Sequence, residues 1–302
     1  MDDELDFTSP APSVPAAASA PFKAAQSRFY DLKAAERIFR AMGKEERFTE
    51  GQTLFTQDDP STAGGIFKGG SRMYYIAEGQ VGVAIGRKQL DSVGRGEIVG
   101  EMAVISGRPR SATATAKSPV LAFSMDAKEL TLAIGQSPEF GLMLASVMYD
   151  RLRFIAAQLA LKPMKPGAAA REATVFEPAL VAQLGAALPN SSVVRYRQQE
   201  IIMKEGQQGT FMYLVKSGKV AIAVGSNIVE VVGPGGTFGE MAVIDQSPRT
   251  ARAGTLEETE LIQIDRPSLM AVVKQHPAVA VAMLRGIADR LRHMNMLLAG
   301  GQ

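Results

Sequence analysis

The 302-residue sequence contains no cysteine and no tryptophan, and its only histidines are His276 and His293. Without cysteine the chain can form no disulfide, no thiol nucleophile and no thiolate metal site. Two scattered histidines are too few to indicate a metal centre, and no kinase loop or other enzyme motif is present. We therefore expect a protein that is not an enzyme and that has no catalytic residues, metal ligands or cofactor.

The sequence also lacks any segment that would direct it to a membrane. No uninterrupted apolar run reaches the roughly 18 residues that a spanning helix needs. The N-terminus has neither the basic region nor the apolar core of a secretory signal. The net charge is +2, and no basic block stands out, so no strong field favours nucleic acid. These absences predict a cytoplasmic protein without a membrane span.

The sequence does contain a long internal repeat. Residues 100–115 and 239–254 are identical at ten of sixteen positions, at a constant offset of 139. Each copy begins Gly-Glu-Met-Ala-Val-Ile and continues with Pro-Arg, a hydroxyl residue and Ala. Solenoid repeats are about 20–50 residues long, so this spacing indicates two copies of a whole domain. A chain of this length is also expected to form about two domains.

The repeated stretch has the chemistry of a phosphate site. A strand predicted over Val93–Val99 ends at the first glycine, and a helix is predicted to begin at Glu101 and again at Glu240. The start of a helix presents unpaired N–H groups to an anion. Arg110 and Arg249 follow nine positions after each Glu, and a guanidinium matches a phosphate geometrically. A carboxylate beside a phosphate is repulsive unless it accepts hydrogen bonds, for example from a ribose, which indicates a nucleotide without a triphosphate.

Both copies resemble the phosphate-binding cassette of cyclic-nucleotide-binding domains, whose pattern is roughly Phe-Gly-Glu-aliphatic-Ala followed by Pro-Arg-small-Ala. The resemblance implies that Glu101 and Glu240 bond the ribose 2′-hydroxyl and that Arg110 and Arg249 bond the cyclic phosphate. The ligand-binding residues expected from it are Gly100, Glu101, Met102, Ala103, Arg110 and Ser111 in the first copy, and Gly239, Glu240, Met241, Ala242, Arg249 and Thr250 in the second.

The two copies differ at one position of the pattern. The first has Val99 where the pattern has Phe, and the second keeps Phe238. In the alternative interpretation of both copies, the glycines and prolines only shape turns, and the Glu and Arg pair with each other.

The rest of the sequence predicts a mainly β fold with flanking helices. Short strand-like runs separated by Gly or Asp turns favour a sandwich or barrel, and the resemblance implies two β jelly rolls, each with an N-terminal helix and C-terminal helices. Helices are predicted over 27–47, with Ser27 as N-cap, over 126–135 and 137–160, over part of 168–187, and after Pro277. Strands of the first copy are predicted over Gln52–Thr56, Met73–Ala77, Val81–Ile85, Gln89–Val93, Ala112–Ala116 and Val120–Ser124.

The predicted domain limits follow from composition and from the repeat. Residues 1–26 form an acidic, Pro- and Ala-rich tail that cannot bury enough apolar surface to order itself. Residues 27–161 form the first domain, 162–173 a Pro- and Gly-containing linker, and 174–302 the second domain. Before the cassettes the offset is 148, so the first copy carries nine extra residues between Pro60 and Arg72, for which a glycine-rich hairpin extension is expected.

The function expected from these features is that of a sensor. It would bind cyclic AMP, or cyclic GMP, in both cassettes and pass a conformational change to a protein partner, a kinase or another effector. After Leu298 only four residues remain, so no DNA-binding helix-turn-helix is expected. The resemblance makes a homodimer through the C-terminal helix possible.

Two other classes of function are alternatives to a sensor. One is a structural interaction protein that kept the fold and lost the ligand, although Glu and Arg are retained in both copies. The other is a phosphodiesterase, whose His/Asp metal cluster two histidines cannot supply.

Overall fold

The structure is a computed structural model, and it describes residues 30–59, 71–160, 171–173, 176–188, 192–244 and 246–298. These residues form two compact units, with the boundary between Val147 and Met148. The predicted tail of 1–26, most of the predicted hairpin extension and the predicted linker up to residue 170 lie outside the described residues. The limits of the domains therefore stay a prediction.

The first unit contains two four-stranded antiparallel sheets, with strand orders β1-β8-β3-β6 and β2-β7-β4-β5. Its strands are β1 (Lys44–Phe48), β2 (Thr53–Phe55), β3 (Met73–Glu78), β4 (Val81–Ile85), β5 (Lys88–Val93), β6 (Ile98–Val99), β7 (Thr113–Ala116) and β8 (Val120–Met125). Its helices are α1 (Leu32–Met42), α2 (Glu101–Ser106), α3 (Ala127–Gln136) and the part of α4 (Pro138–Ala160) that precedes residue 148.

The second unit repeats this arrangement, with sheet orders β10-β17-β12-β15 and β11-β16-β13-β14-β9. Its strands are β9 (Arg171–Ala173), β10 (Val193–Tyr196), β11 (Ile201–Met203), β12 (Phe211–Ser217), β13 (Val220–Val224), β14 (Asn227–Val232), β15 (Thr237–Phe238), β16 (Arg252–Thr255) and β17 (Thr259–Asp265). Its helices are the rest of α4, α5 (Pro178–Ala187), α6 (Glu240–Ile244), α7 (Arg266–Gln275) and α8 (Pro277–Leu298).

The expected fold class, two β jelly rolls with flanking helices, is confirmed by this architecture. In each unit apolar residues of both sheets are buried. The core of the first unit contains Leu54, Ile76, Val81 and Ala122, which are buried, together with the buried aromatic ring of Tyr74.

The first predicted helix is wrong at its C-terminal end. The sequence predicts a helix up to residue 47, but α1 ends at Met42, and Lys44–Phe48 forms β1 against β8. The helix ends at Gly43, whose N–H makes the last helical bond to the carbonyl of Phe39 and whose backbone is already extended. A Cβ at this position would collide with two backbone carbonyls. The N-cap is Asp31, whose side chain accepts from the amides of Lys33 and Ala34; the predicted cap, Ser27, lies outside the described residues.

Two further strand predictions need correction. The strand predicted over Val93–Val99 is divided, since β5 ends at Val93 and a turn at Arg95 and Gly96 precedes β6. In the second unit the sequence predicts strands only from Val193 onward. The structure adds β9, which pairs in parallel with β14 and places the backbone of Arg171 opposite Glu230.

Among the described residues, no helix combines sufficient length with sufficient hydropathy to cross a bilayer.

Candidate functional site

The guanidinium of Arg110 is held inside the first unit by two main-chain carbonyls. Its Nη1 donates to the carbonyl oxygen of Gly100 at 2.9 Å, and its Nη2 donates to that of Arg72 at 2.7 Å. The Cζ atom also lies 4.1 Å from the centre of the Phe55 ring, close enough for a cation–π interaction. Only 5% of Arg110 is exposed.

Arg249 repeats this geometry in the second unit. Its Nη1 donates to the carbonyl oxygen of Gly239 at 2.7 Å, and its Nη2 to that of Phe211 at 2.6 Å. Both acceptors lie 139 positions after their counterparts in the first unit. Arg249 is 6% exposed, so two equivalent cations are buried at equivalent places.

The charge of each arginine is only partly compensated. Within the described ranges neither guanidinium forms an ion pair, and the two bonds to carbonyls use two of its five N–H donors. Burial lowers the pKa of both Arg110 and Arg249, and nearby acidic groups oppose this shift only in part. A buried cation without a bonded carboxylate is electrostatically suited to receive an anion.

The main chain fixes where each arginine stands. The amide of Arg249 donates to the carbonyl of Gln207 at 2.8 Å, and its carbonyl accepts from Gly206 at 2.7 Å. Arg110 makes the corresponding pair of bonds with Asp59 and Asp58, at 3.0 and 2.9 Å. In each unit both the N–H and the carbonyl of the arginine are therefore hydrogen-bonded, which fixes the backbone from which the side chain extends.

Glycine is required where the cassette backbone approaches the guanidinium. Gly100 and Gly239 have φ angles of 81° and 77°, which L-residues with a side chain rarely adopt. A Cβ at Gly239 would also lie 2.5 Å from Nη1 of Arg249. At Gly209 a Cβ would lie closer than 3.0 Å to several guanidinium atoms of Arg249. The sequence pattern includes the first two glycines but gives no indication of Gly209.

Glu240 in the second cassette is bonded to Arg290 of α8. Nη1 of Arg290 donates to Oε1 of Glu240 at 2.9 Å, and Nε donates to Oε2 of Glu230 at 2.9 Å. The hydroxyl of Thr237 also donates to Oε1 of Glu240, and the carbonyl of Thr237 accepts from Arg290. A single guanidinium thus joins α8 to β14 and to the cassette.

The network of Arg290, Glu230 and Glu240 is buried. The three side chains are 9%, 8% and 5% exposed. Burial opposes the charged form of Arg290, but the Coulomb interactions with Glu230 and Glu240 outweigh it and raise its pKa. Within the part of the chain that the structure describes, both bonds to Glu240 end on Oε1, which leaves Oε2 able to accept from another donor.

The six residues predicted for the second site all line one cavity of about 80 Å³. Twelve further residues line it that the sequence did not single out as binding residues: Leu152, Ala156, Met203, Ile222, Val224, Val229, Glu230, Phe238, Ala251, Arg290, His293 and Met294. Most of these are apolar, so the cavity combines a polar cassette with apolar walls. His293, one of the two histidines, bonds the carbonyl of Val229 through Nε2 at 3.2 Å.

The sequence holds a signal for two lining residues that the cassette pattern does not include, Glu230 and Arg290. At the constant offset of 139, Glu230 corresponds to Asp91 and Arg290 to Arg151. Extending the repeat comparison beyond the cassette would have flagged an acidic residue and an arginine in both copies. The apolar lining carries no comparable signal, because such residues are common throughout a core.

The residues predicted for the first site also come together. Arg110 bonds the carbonyl of Gly100, and the adjacent Glu101 and Ala103 at the start of α2 are buried. The side chains of Met102 and Ser111 are partly exposed. In the second unit Thr250 differs in donating its hydroxyl to Sδ of Met241 at 3.3 Å. The geometry does not support the alternative in which the Arg and Glu of a cassette pair only with each other, since each Arg is held by carbonyls.

The two units fill the aromatic position of the pattern differently. In the second unit Phe238 stacks on Tyr213, with ring centres 5.0 Å apart. In the first unit Val99 replaces that Phe, and Phe55 stacks on Tyr74 at 6.1 Å instead. The tyrosine of each unit therefore keeps an aromatic partner, although the partner comes from a different strand.

The described residues contain no group of three or more His, Asp or Glu side chains that could hold a metal ion.

Comparisons with known proteins agree with this architecture. The family model described as "Cyclic nucleotide-binding domain" matches the chain over residues 45–136 and again over 193–276. The chain is 32% identical over 128 residues to the CRP-like cAMP-activated global transcriptional regulator of Mycobacterium tuberculosis. The matched stretch covers 41% of this chain and 56% of that protein. It is 26% identical over 233 residues to the cAMP-dependent protein kinase regulatory subunit of Debaryomyces hansenii. This match covers 76% of this chain and 45% of that protein. The chain thus spans about half the length of these curated relatives.

Among solved structures, that of the Thermus thermophilus Catabolite Activator Protein is 31% identical, with a TM-score of 0.36, and covers 41% of this chain and 59% of that one. The family model itself covers more than half of the chain, and its two matches contain both cassettes. The chain therefore belongs to the cyclic nucleotide-binding domain family.

Proposed function

We propose that the protein is a non-enzymatic sensor that binds a cyclic nucleotide in both cassettes, with cyclic AMP as the first candidate and cyclic GMP as the second. Arg110 and Arg249 would donate to the cyclic phosphate. Glu101 and Glu240 would accept from the ribose 2′-hydroxyl. Ser111 and Thr250 would add a hydroxyl donor at the phosphate, beside Gly100, Met102 and Ala103 in one cassette and Gly239, Met241 and Ala242 in the other.

The observation that carries the proposal is the state of the two arginines. Each is buried, each is positioned by two carbonyls, and among the described residues neither is ion-paired. A protein that had lost its ligand would gain stability by replacing such a cation with an apolar side chain, since a buried charge without a counterion is costly. Retention of the same arrangement in both units supports two phosphate sites.

The curated relatives support the choice of ligand. Their names include a cAMP-activated regulator, a cAMP-dependent protein kinase regulatory subunit and a cGMP-dependent protein kinase. A kinase or another effector is accordingly the proposed protein partner, and cytoplasmic localisation remains part of the proposal. Binding would reach the partner through α8, because Arg290 joins this helix to Glu240 in the cassette.

Isothermal titration calorimetry of the unmodified chain with cyclic AMP, and separately with cyclic GMP, tests the proposal. We expect two molecules of at least one nucleotide per chain. Titration with 5′-AMP is the matched control, since it keeps base and ribose but has no phosphate ring, and it should bind far more weakly. No heat of binding with either cyclic nucleotide would favour the alternative, an interaction protein that kept the fold and lost the ligand.

A further inference from the structure

The C-terminal half of α4 forms part of the wall of the cavity in the second unit. Leu152 and Ala156 line the same cavity as Glu240 and Arg249. Both are buried, with 4% and 5% of their surface exposed. They precede the second cassette by more than 80 residues in sequence, and the repeat does not predict such a contact.

This half of α4 is fixed in place within the second unit. Leu152, Ala156 and Leu159 are spaced by four and three residues, which places them on one face of the helix. Leu159 is 1% exposed, and its carbonyl accepts a 3.4 Å bond from Nδ2 of Asn227 at the start of β14. Tyr149, one turn before Leu152, interacts electrostatically with Arg290. From Tyr149 to Leu159 the helix is therefore packed within the second unit over about three turns.

The face of α4 that lines this cavity differs from the face of α4 that corresponds, by the repeat, to the lining residues of α8. On α8 the lining residues are Arg290, His293 and Met294, which correspond at the offset of 139 to residues 151, 154 and 155 of α4. Leu152 and Ala156 lie on the neighbouring face of the helix, about 100° away at 3.6 residues per turn. The contribution of α4 is thus an additional wall and not a copy of the one supplied by α8.

A bound cyclic nucleotide would place its polar and apolar parts against different walls of this cavity. Arg249 and Glu240 fix the end where phosphate and ribose would lie. The purine base would then extend along the apolar lining, to which α4 contributes Leu152 and the small residue Ala156. A site of this kind selects ligands by shape, because interior packing leaves little free volume and extra methylene groups are resisted.

We propose that Leu152 and Ala156 are specificity-determining residues of the second site, which contact the base of a bound cyclic purine nucleotide. The proposal rests on the proposed function, since it names a part of that same ligand. The size of the side chain at position 156 then sets how much space the base has.

The test uses the full chain with the first site removed by Arg110→Ala, so that calorimetry reports the second site. Ala156→Leu should weaken binding of cyclic AMP and cyclic GMP at least tenfold. Ala157→Leu is the matched control, because Ala157 is the next residue of the same helix, is partly exposed and does not line the cavity. It should change affinity no more than about twofold. Equal affinities of the two leucine variants would overturn the proposal.

A second pair of variants keeps the test decisive if Ala156→Leu does not fold. Ala156→Gly enlarges the cavity, and Ala157→Gly carries the same helix penalty without doing so. With probes of cyclic AMP that carry a benzyl group at N6 or at C8, Ala156→Gly should bind at least one probe five times more tightly than Ala157→Gly. No gain with either probe would overturn the proposal. If the unmodified chain binds neither cyclic AMP nor cyclic GMP, the proposed function fails as well, whereas unchanged binding in these variants refutes only the contact with α4.

Discussion

Arg290 in α8 donates from Nη1 to Oε1 of Glu240 at 2.9 Å and from Nε to Oε2 of Glu230 at the same distance. These bonds connect the last helix of the chain to the cassette and to β14 in one buried network. Any movement of Glu240 toward a ribose therefore changes the bonding of α8. Under the proposed function, this connection would couple ligand binding directly to the position of α8.

Removing the guanidinium of Arg290 should destabilise the second unit strongly. Arg290→Met leaves Glu230 and Glu240 buried without their counterion, which costs about 3–5 kcal/mol in comparable cases. The measurement is the free energy of opening from native-state hydrogen exchange of the β12 and β17 amides. Arg285→Met on the exposed face of α8 is the control and should cost no more than about 0.5 kcal/mol. Equal losses for both variants would contradict a stabilising network.

A methyl group at Gly209 should disturb the second phosphate site without unfolding it. Its Cβ would meet the guanidinium of Arg249, the far end of a flexible side chain, so the arginine moves and the stability loss stays small. We expect Gly209→Ala to weaken the second site about tenfold or more in calorimetry and to leave the first unchanged. Gly233→Ala is the control, since a Cβ there has no neighbour within 4 Å. Unchanged binding in Gly209→Ala would show that the position of Arg249 does not matter.

Substitutions at Phe55 and Val99, the two positions at which the units differ in aromatic residues, should have coupled effects on stability. Phe55→Met should cost about 1 kcal/mol or more because Tyr74 loses its stacked partner. Val99→Phe alone should cost about 1–3 kcal/mol by overpacking. Together they reproduce the arrangement of Met203 and Phe238 in the second unit, so the double variant should lose less stability than the sum of the two. Chemical denaturation of the three variants measures this, and strict additivity would mean that the two positions are independent.

The ribose contact can be probed through the ligand. Glu240 has Oε2 available to accept, and a hydrogen bond to a charged group contributes about 1.5–3 kcal/mol. At the second site 2′-deoxy cyclic AMP should therefore bind at least tenfold more weakly than cyclic AMP. Glu240→Ala should abolish this difference, and Glu257→Ala at an exposed position should preserve it. A preference for cyclic AMP that survives Glu240→Ala would place the 2′-hydroxyl elsewhere.

The fold class and the cassettes could be predicted from the sequence because both signals are local. Glycine, glutamate and arginine stand at fixed spacings in each copy, and the structure joins Arg249 to Gly239 only ten positions away. The sequence shows Val99 as a departure from the pattern. It does not show that Phe55 supplies the missing aromatic ring, because β2 and β3 come together only in the folded unit.

Other features depend on tertiary contacts that leave little trace in the sequence. Arg290 reaches Glu240 across 50 residues, and the part of α4 that belongs to the second unit contributes Leu152 and Ala156 to the cavity of that unit. The end of α1 is not predictable locally, because Lys44–Phe48 consists mostly of ordinary helix formers and its pairing with β8 overrides their propensity. β9 was missed because three residues have no measurable periodicity.

Under the proposed function, Arg110 and Arg249 each hold the phosphate of one cyclic nucleotide. The most direct test of this claim is calorimetric titration of four chains with cyclic AMP: the unmodified protein, Arg110→Ala, Arg249→Ala and the double variant. We predict stoichiometries of two, one, one and zero, since each substitution should cost about 2–5 kcal/mol at its own site. Two sites of unchanged affinity in Arg249→Ala, or residual binding in the double variant, would contradict the claim.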